Sequence, residues 1–177
     1  MAIDFGKPLS DEQRGIVSEA IGKAIVLCEY IINDEIEDLG IKLADLPATR
    51  WRKTESRTKG VQNDFKKIKE ALGKLDKDSF GVKVGSPGKY AEVYPDIPFK
   101  ITLFTAFWNM KDAGTDSKAG TLIHEVSHWV IVRGTDDHGY GEDSEDLSFT
   151  LSRNNADTWE AIAESYDLPY QPENMDI

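Results

Sequence analysis

The chain of 177 residues has a single cysteine, Cys28. It can therefore form no internal disulfide and no cysteine-built zinc cluster. Basic residues are outnumbered, 21 Lys and Arg against 32 Asp and Glu, for a net charge of −11. A surface that acidic argues against nucleic-acid binding, because phosphate contacts need a basic face. It argues equally against docking on anionic membrane. Long apolar runs are missing too. The longest, Ala24 to Cys28, falls far short of the roughly 20 residues that span a bilayer. No basic-then-apolar leader opens the sequence, which reads as no classical signal peptide. What remains, 40% apolar and 30% charged residues, is enough to bury one core. We expect a single domain over 1–177, with 1–9 as a lead-in and 170–177 as a tail.

Apolar periodicity supplies the outline. Ser10 and Gln13 have the spacing of a capping box. Apolar residues from Ile16 to Ile36 then recur at steps of three and four, which predicts one helix over 11–38 with Gly40 as its stop. Residues 41–57, with Pro47, read as a loop, and a second helix is expected over 58–75. The pattern then changes to short aromatic and β-branched runs at Phe80–Val84, Tyr90–Tyr94 and Phe99–Phe104, separated by Ser86-Pro87-Gly88 and by Pro95 and Pro98. These predict a small antiparallel sheet. A third helix is expected from a cap at Asp116 or Ser117 to Arg133, stopped by Gly134. An acidic loop over 134–153 follows, and a last helix runs from Asn155 to Tyr166, ended by Pro169. The fold class is α+β, with helices first, then a small sheet, then helices.

The chemistry concentrates in Thr121-Leu122-Ile123-His124-Glu125-Val126-Ser127-His128-Trp129, an H-E-x-x-H sequence on a predicted helix. His124 and His128 are four residues apart, so both imidazoles leave one helix face about a turn apart. Two nitrogens at that spacing can reach one zinc ion at about 2.0–2.1 Å. Glu125 is then the residue to take a proton from a metal-activated water. The bland reading is an amphipathic helix with two solvated histidines. Against it, two of only three histidines in the chain flank a glutamate inside an apolar helix.

A catalytic zinc needs a third protein ligand and an open position. A histidine six residues past His128 would make a metzincin, but that position is Gly134. A glutamate from the later helix, Glu160 or Glu164, would make a gluzincin. The third candidate is the loop Gly134-Thr135-Asp136-Asp137-His138-Gly139-Tyr140-Gly141. H-E-x-x-H followed by G-T-x-D-x-x-Y-G resembles the aspzincin metallopeptidases. The likeness is carried by His124, Glu125, His128, Gly134, Thr135, Asp137, Tyr140 and Gly141, and extends over about 100–165. The resemblance implies a zincin-like fold, one catalytic Zn2+ and peptide-bond hydrolysis. It implies that Asp137 is the third ligand and that Tyr140 stabilises the oxyanion. A helix ended by Gly134 would let Asp137 return beneath the histidines, and a carboxylate beside two imidazoles suits zinc.

Asp157 and Glu160, in Asn155-Ala156-Asp157-Thr158-Trp159-Glu160, share a helix face. A similar N-A-D-x-x-E segment in the Lys-specific branch implies a pocket for a lysine just after the cut bond. The ordinary alternative is carboxylates favoured near a helix start. His138 reads as a solvated loop histidine, and Glu142, Asp143, Glu145 and Asp146 as a charged loop without EF-hand spacing. Residues 50–77 hold ten Lys and Arg against four Asp and Glu, which reads as a solvated face. The expected partners are a peptide or protein substrate and, for a bacterial effector exported without a leader, an immunity or inhibitor protein. The chain is expected to be a monomer, and cytoplasmic if neither exported nor trimmed. The alternatives are an interaction domain with structural or no zinc, and a zinc amidase of cell-wall crosslinks.

Overall fold

The computed structural model describes residues 3–166. The capping box forms as expected. Ser10 Oγ accepts from the Gln13 amide, and Gln13 Oε1 accepts from the Ser10 amide, starting α1 (Asp11–Asn33), which buries Val17, Ala20, Ala24, Cys28 and Ile31. The expected single helix over 11–38 is two. Asp34 and Glu35 take extended backbone, and α2 (Ile36–Asp45) begins afresh. Two carbonyls at this break, those of Ile31 and Asp34, accept from Gln62 Nε2 at 3.2 and 2.9 Å, which satisfies acceptors that a helix end leaves open. Gly40 is therefore not a stop. It lies buried inside α2, where a Cβ would come within 3.2 Å of Lys53 and Thr58. Helix α3 (Glu55–Leu72) is capped by Thr54, so the expected loop over 41–57 is only the turn between α2 and α3.

Three strands follow: β1 (Phe80–Lys83), β2 (Ala91–Val93) and β3 (Ile101–Phe104). The sheet is mixed, not antiparallel. Its order is β1-β3-β2, with β3 parallel to β1 and antiparallel to β2. The chain reverses between β1 and β2 and again before β3, and β3 inserts between the first two strands. It therefore runs the same way as β1, a result that alternation within each strand does not encode. Lys7 covers the outer edge of β1 through paired backbone bonds with Val82 of 3.0 and 2.8 Å. Among the described residues no strand pairs with the outer edge of β2.

Helix α4 (Lys118–Ser127), capped by Ser117, ends earlier than the expected Arg133. The Val130 amide leaves for Pro95 O at 3.1 Å, and the amides of Val132, Arg133 and Gly134 all converge on Trp129 O. Gly134, at φ +62°, then turns the chain back. The acidic segment expected as loop carries two short helices, α5 (Glu142–Glu145) and α6 (Phe149–Arg153). The last helix, α7, spans Ala156–Glu164. Pro169 and the tail lie outside the described residues. One hydrophobic core joins α1, α3, α4, α7 and the sheet, with Trp129, Trp159 and Phe65 fully buried. Buried Asp64 of α3 accepts from Arg153 at 2.7 Å and pairs with Arg133 at 3.2 Å. This ties α3 to the turn after α4 and to the end of α6. No helix of the described residues is long and apolar enough to cross a membrane.

Candidate metal centre

Helix α4 forms the floor of a cleft of about 520 Å³, with β2 and the loop before it on one side and α7 and the 137–141 loop on the other. His124 stands in the helix and His128 at its C-terminal cap, with ring centroids 5.0 Å apart. Their Nε2 atoms converge on one carboxylate oxygen. Asp137 Oδ1 lies 3.2 Å from His124 and 3.4 Å from His128. The sequence thus brings the expected three donors together, all within 4.8 Å of one another.

The opposite ring nitrogens are held in two different ways. His128 Nδ1 faces the Thr135 carbonyl at 2.8 Å, and the Thr135 hydroxyl bonds Ser127 Oγ at 2.7 Å. His124 Nδ1 faces Glu160 Oε2 at 3.1 Å. Glu160 therefore sits on the far side of the imidazole from Asp137. Glu164 lies farther off still, accepting from the Asp116 amide, the Ser117 amide and Ser117 Oγ at 3.0, 2.8 and 2.9 Å. Neither glutamate shares the point on which the two Nε2 atoms converge.

The loop that returns Asp137 is pinned by a residue whose part was not foreseen. The Asn155 side chain, fully buried, accepts from the His138 and Gly139 amides at 2.8 and 3.2 Å and donates to Gly139 O at 2.9 Å. Asp136 also bridges the backbone of Asn154 and Ala156. The signal was present, since Asn155 opens the N-A-D-x-x-E segment. Ser127, Thr135 and Glu164, in contrast, look like ordinary helix and turn residues in the sequence. His138 is exposed beside Asn154, at 3.2 Å, and takes no part in the converging set.

The electrostatics of the cleft call for a cation. Burial works against a charged His124, but bonds to Asp137 and Glu160 and the nearby Glu125 charge overcome it and push the imidazole up to about 10. Burial pushes His128 down, helped by the His124 charge. Burial alone would raise Asp137, yet bonds from His124 and Tyr140 and the two imidazoles hold it down at about 2. Glu125, buried in the same cleft, is raised to about 7 by burial and by the Asp137, Glu160 and Glu92 charges. Two imidazole nitrogens and a carboxylate oxygen, each oriented from behind, are a donor set that fits zinc.

Tyr140 is half exposed at the cleft mouth, its ring stacked 5.8 Å from that of His124 and its hydroxyl bonded to Asp137. Burial and this bond raise its pKa, so it keeps its proton. Asp157 and Glu160 line the same cleft. Asp157 accepts from the Gly141 amide at 3.2 Å, and burial with the Glu160 charge raises its pKa. With His124 these two carboxylates form a second group of close donors. Of the basic stretch over 50–77, Arg50, Lys53, Lys59 and Lys69 pair with Glu145, Glu37, Glu55 and Glu29.

An α+β frame carrying two imidazoles, a loop aspartate and a buried glutamate at the floor of an open cleft defines a domain of the zinc-peptidase class. The aspzincin family model, described as lysine-specific metallo-endopeptidase, matches residues 48–164, and the chain belongs to this family. An extracellular protease of Aeromonas hydrophila is 42% identical over 123 residues, 67% of this chain and 33% of that protein. A peptidyl-Lys metalloendopeptidase of Pleurotus ostreatus is 50% identical over 64 residues, 36% of this chain and 38% of the relative. The chain thus spans about a third of the length of these relatives. Among solved structures, a zinc peptidase from Grifola frondosa superposes with a TM-score of 0.71 at 26% identity, covering 90% of this chain and all of that one. Family and structural neighbour together imply one catalytic zinc ion.

Proposed function

We propose that this chain is a zinc endopeptidase that hydrolyses peptide bonds and prefers lysine immediately after the cut bond. The observation that carries the reading is the convergence of His124 Nε2 and His128 Nε2 on Asp137 Oδ1, at 3.2 and 3.4 Å, in the cleft that the buried Glu125 also lines. His124, His128 and Asp137 would hold the ion. Zinc supplies a Lewis acid there, acidifying water and polarising the scissile carbonyl.

The remaining steps belong to the chain. Glu125 lines the cleft beside His124, within reach of a water held there. It takes a proton from the attacking water and later delivers it to the leaving amine. Tyr140 keeps its hydroxyl proton and can turn it from Asp137 toward the developing oxyanion, an interaction worth about 3–4 kcal/mol. Among the described residues no strand covers the outer edge of β2, which lines the cleft, and such an edge suits an extended peptide added as a further strand. Asp157 and Glu160 offer two carboxylates to a lysine ammonium. The names of the peptidyl-Lys relatives support that preference.

The test is Glu125→Gln. It should retain zinc while peptide cleavage falls by about 10²–10⁴-fold or more. Cleavage-site mapping on a denatured protein should then show wild-type cuts on the amino side of lysine. Full activity in the variant would reject the mechanism, and cuts without a lysine bias would reject the pocket.

A further inference from the structure

We propose that Glu160 is a positioning residue for the metal ligand His124 as well as a wall of the lysine pocket. On this account an ammonium ion in the pocket and the metal are coupled through one imidazole. The inference rests on the zinc-peptidase reading above and adds a role to a residue so far described only as a substrate contact.

The argument starts from the ring. An imidazole that gives Nε2 to a metal carries its proton on Nδ1, and what that proton meets sets the ring's orientation and basicity. In His128 it meets a neutral carbonyl, Thr135 O. In His124 it meets a carboxylate, Glu160 Oε2 at 3.1 Å, with both side chains largely buried at 8% and 13% exposure. Charge assistance makes such a bond roughly twice as strong as a neutral one. The ion pair recorded for Glu160 is the one it makes with this imidazole.

The packing that creates this contact is specific. Gly120 lies one turn before His124, and a Cβ there would come within 3.1 Å of Glu160 Cγ. Its bare backbone lets α7 approach α4 closely enough for Glu160 to reach the ring. Asp157, one turn earlier on α7, is oriented otherwise, toward the Gly141 amide and Ser144. Two carboxylates that look equivalent in sequence therefore differ: one touches a metal ligand and the other does not.

A cation placed beside Glu160 draws on the same negative charge that supports His124. Occupation of the pocket should therefore weaken zinc binding, and zinc should weaken occupation by the same factor, as linkage requires. A substrate lysine would then make the ion a stronger Lewis acid while it is bound.

Zinc affinity is measured by competition with a chromophoric chelator, a readout independent of catalysis. Glu160→Ala should bind zinc about 10–100-fold more weakly than wild type. Glu160→Gln, which still offers an acceptor to Nδ1, should recover part of the loss. In the wild-type protein, n-butylammonium should lower zinc affinity by about 5-fold or more, with tetramethylammonium at equal ionic strength as the control. That titration involves no variant, so it decides the matter even if Glu160→Ala fails to fold. Unchanged zinc affinity in Glu160→Ala, or no effect of n-butylammonium, would overturn the proposal. Normal zinc binding by Glu160→Ala together with lost cleavage before lysine would refute positioning and leave the peptidase reading standing. Weakened zinc binding in a protein that cleaves no peptide would do the reverse.

Discussion

Gly120→Ala should destabilise the protein although alanine is the better helix former. In an open helix position the change gains about 1 kcal/mol. Here the new Cβ would fall 2.1 Å from Glu164 Oε1 and 3.1 Å from Glu160 Cγ. The far end of a glutamate usually swings away cheaply, but this one accepts three bonds from Asp116 and Ser117 at the start of α4. Displacing it forfeits hydrogen bonds worth about 0.5–1.5 kcal/mol each, and holding it forces α4 and α7 apart at an overpacking cost of about 1–3 kcal/mol. The net expectation is a loss of about 1–3 kcal/mol, or a fall in Tm of roughly 2–4 °C for each kcal/mol. Zinc affinity should fall with it, because α7 carries Glu160. Thermal unfolding and chelator competition read both effects. Gly22→Ala on α1, where a Cβ meets nothing within 4 Å, is the control and should be stabilising. If Gly120→Ala proves as stable as Gly22→Ala and binds zinc like wild type, the close packing of these helices does not have the role argued for it.

Glu164 should make stability depend on pH. Burial and the Glu160 charge raise its carboxyl from 4.5 to about 7, so the folded chain favours the protonated form. The associated stability is fully present below about 4.5 and is lost as pH rises through 7, up to about 3 kcal/mol in all. Denaturant titrations from pH 4.5 to 8 should show a shallower decline for Glu164→Gln than for wild type, and equal slopes would refute the assignment. Asn155→Ala should leave the amides of His138 and Gly139 without their acceptor, costing at least about 2 kcal/mol. It should also loosen zinc by freeing the Asp137 loop, as unfolding curves and chelator competition would reveal. Asp157→Asn should raise KM for lysine-containing peptides more than it lowers kcat, and a steady-state comparison with an uncharged residue in that position provides the check.

Most of the chemistry was legible because it is local. Four-residue spacing on a helix is enough to put His124 and His128 on one face, and Glu125 follows from adjacency. Asp137 needed the resemblance, since a turn of unknown shape separates it from the helix. The structure supplies that shape through Gly134 and the Asn155 staple. Strand positions were readable from alternation, but strand order was not. The parallel pairing of β1 with β3 arises from the two chain reversals that insert β3 between β1 and β2. The break at Asp34 was hidden because α2 continues the apolar pattern of α1, and Gln62, remote in sequence, satisfies the carbonyls that the break exposes. The difference between Asp157 and Glu160 was invisible for the same reason: it depends on how closely α7 approaches α4.

The most direct measurement is zinc content after dialysis against metal-free buffer, determined for the wild-type chain and for Asp137→Ala. The account predicts one zinc per wild-type chain and a variant that is folded but stripped. A full equivalent of zinc retained by Asp137→Ala, or none held by the wild type after loading, would contradict it.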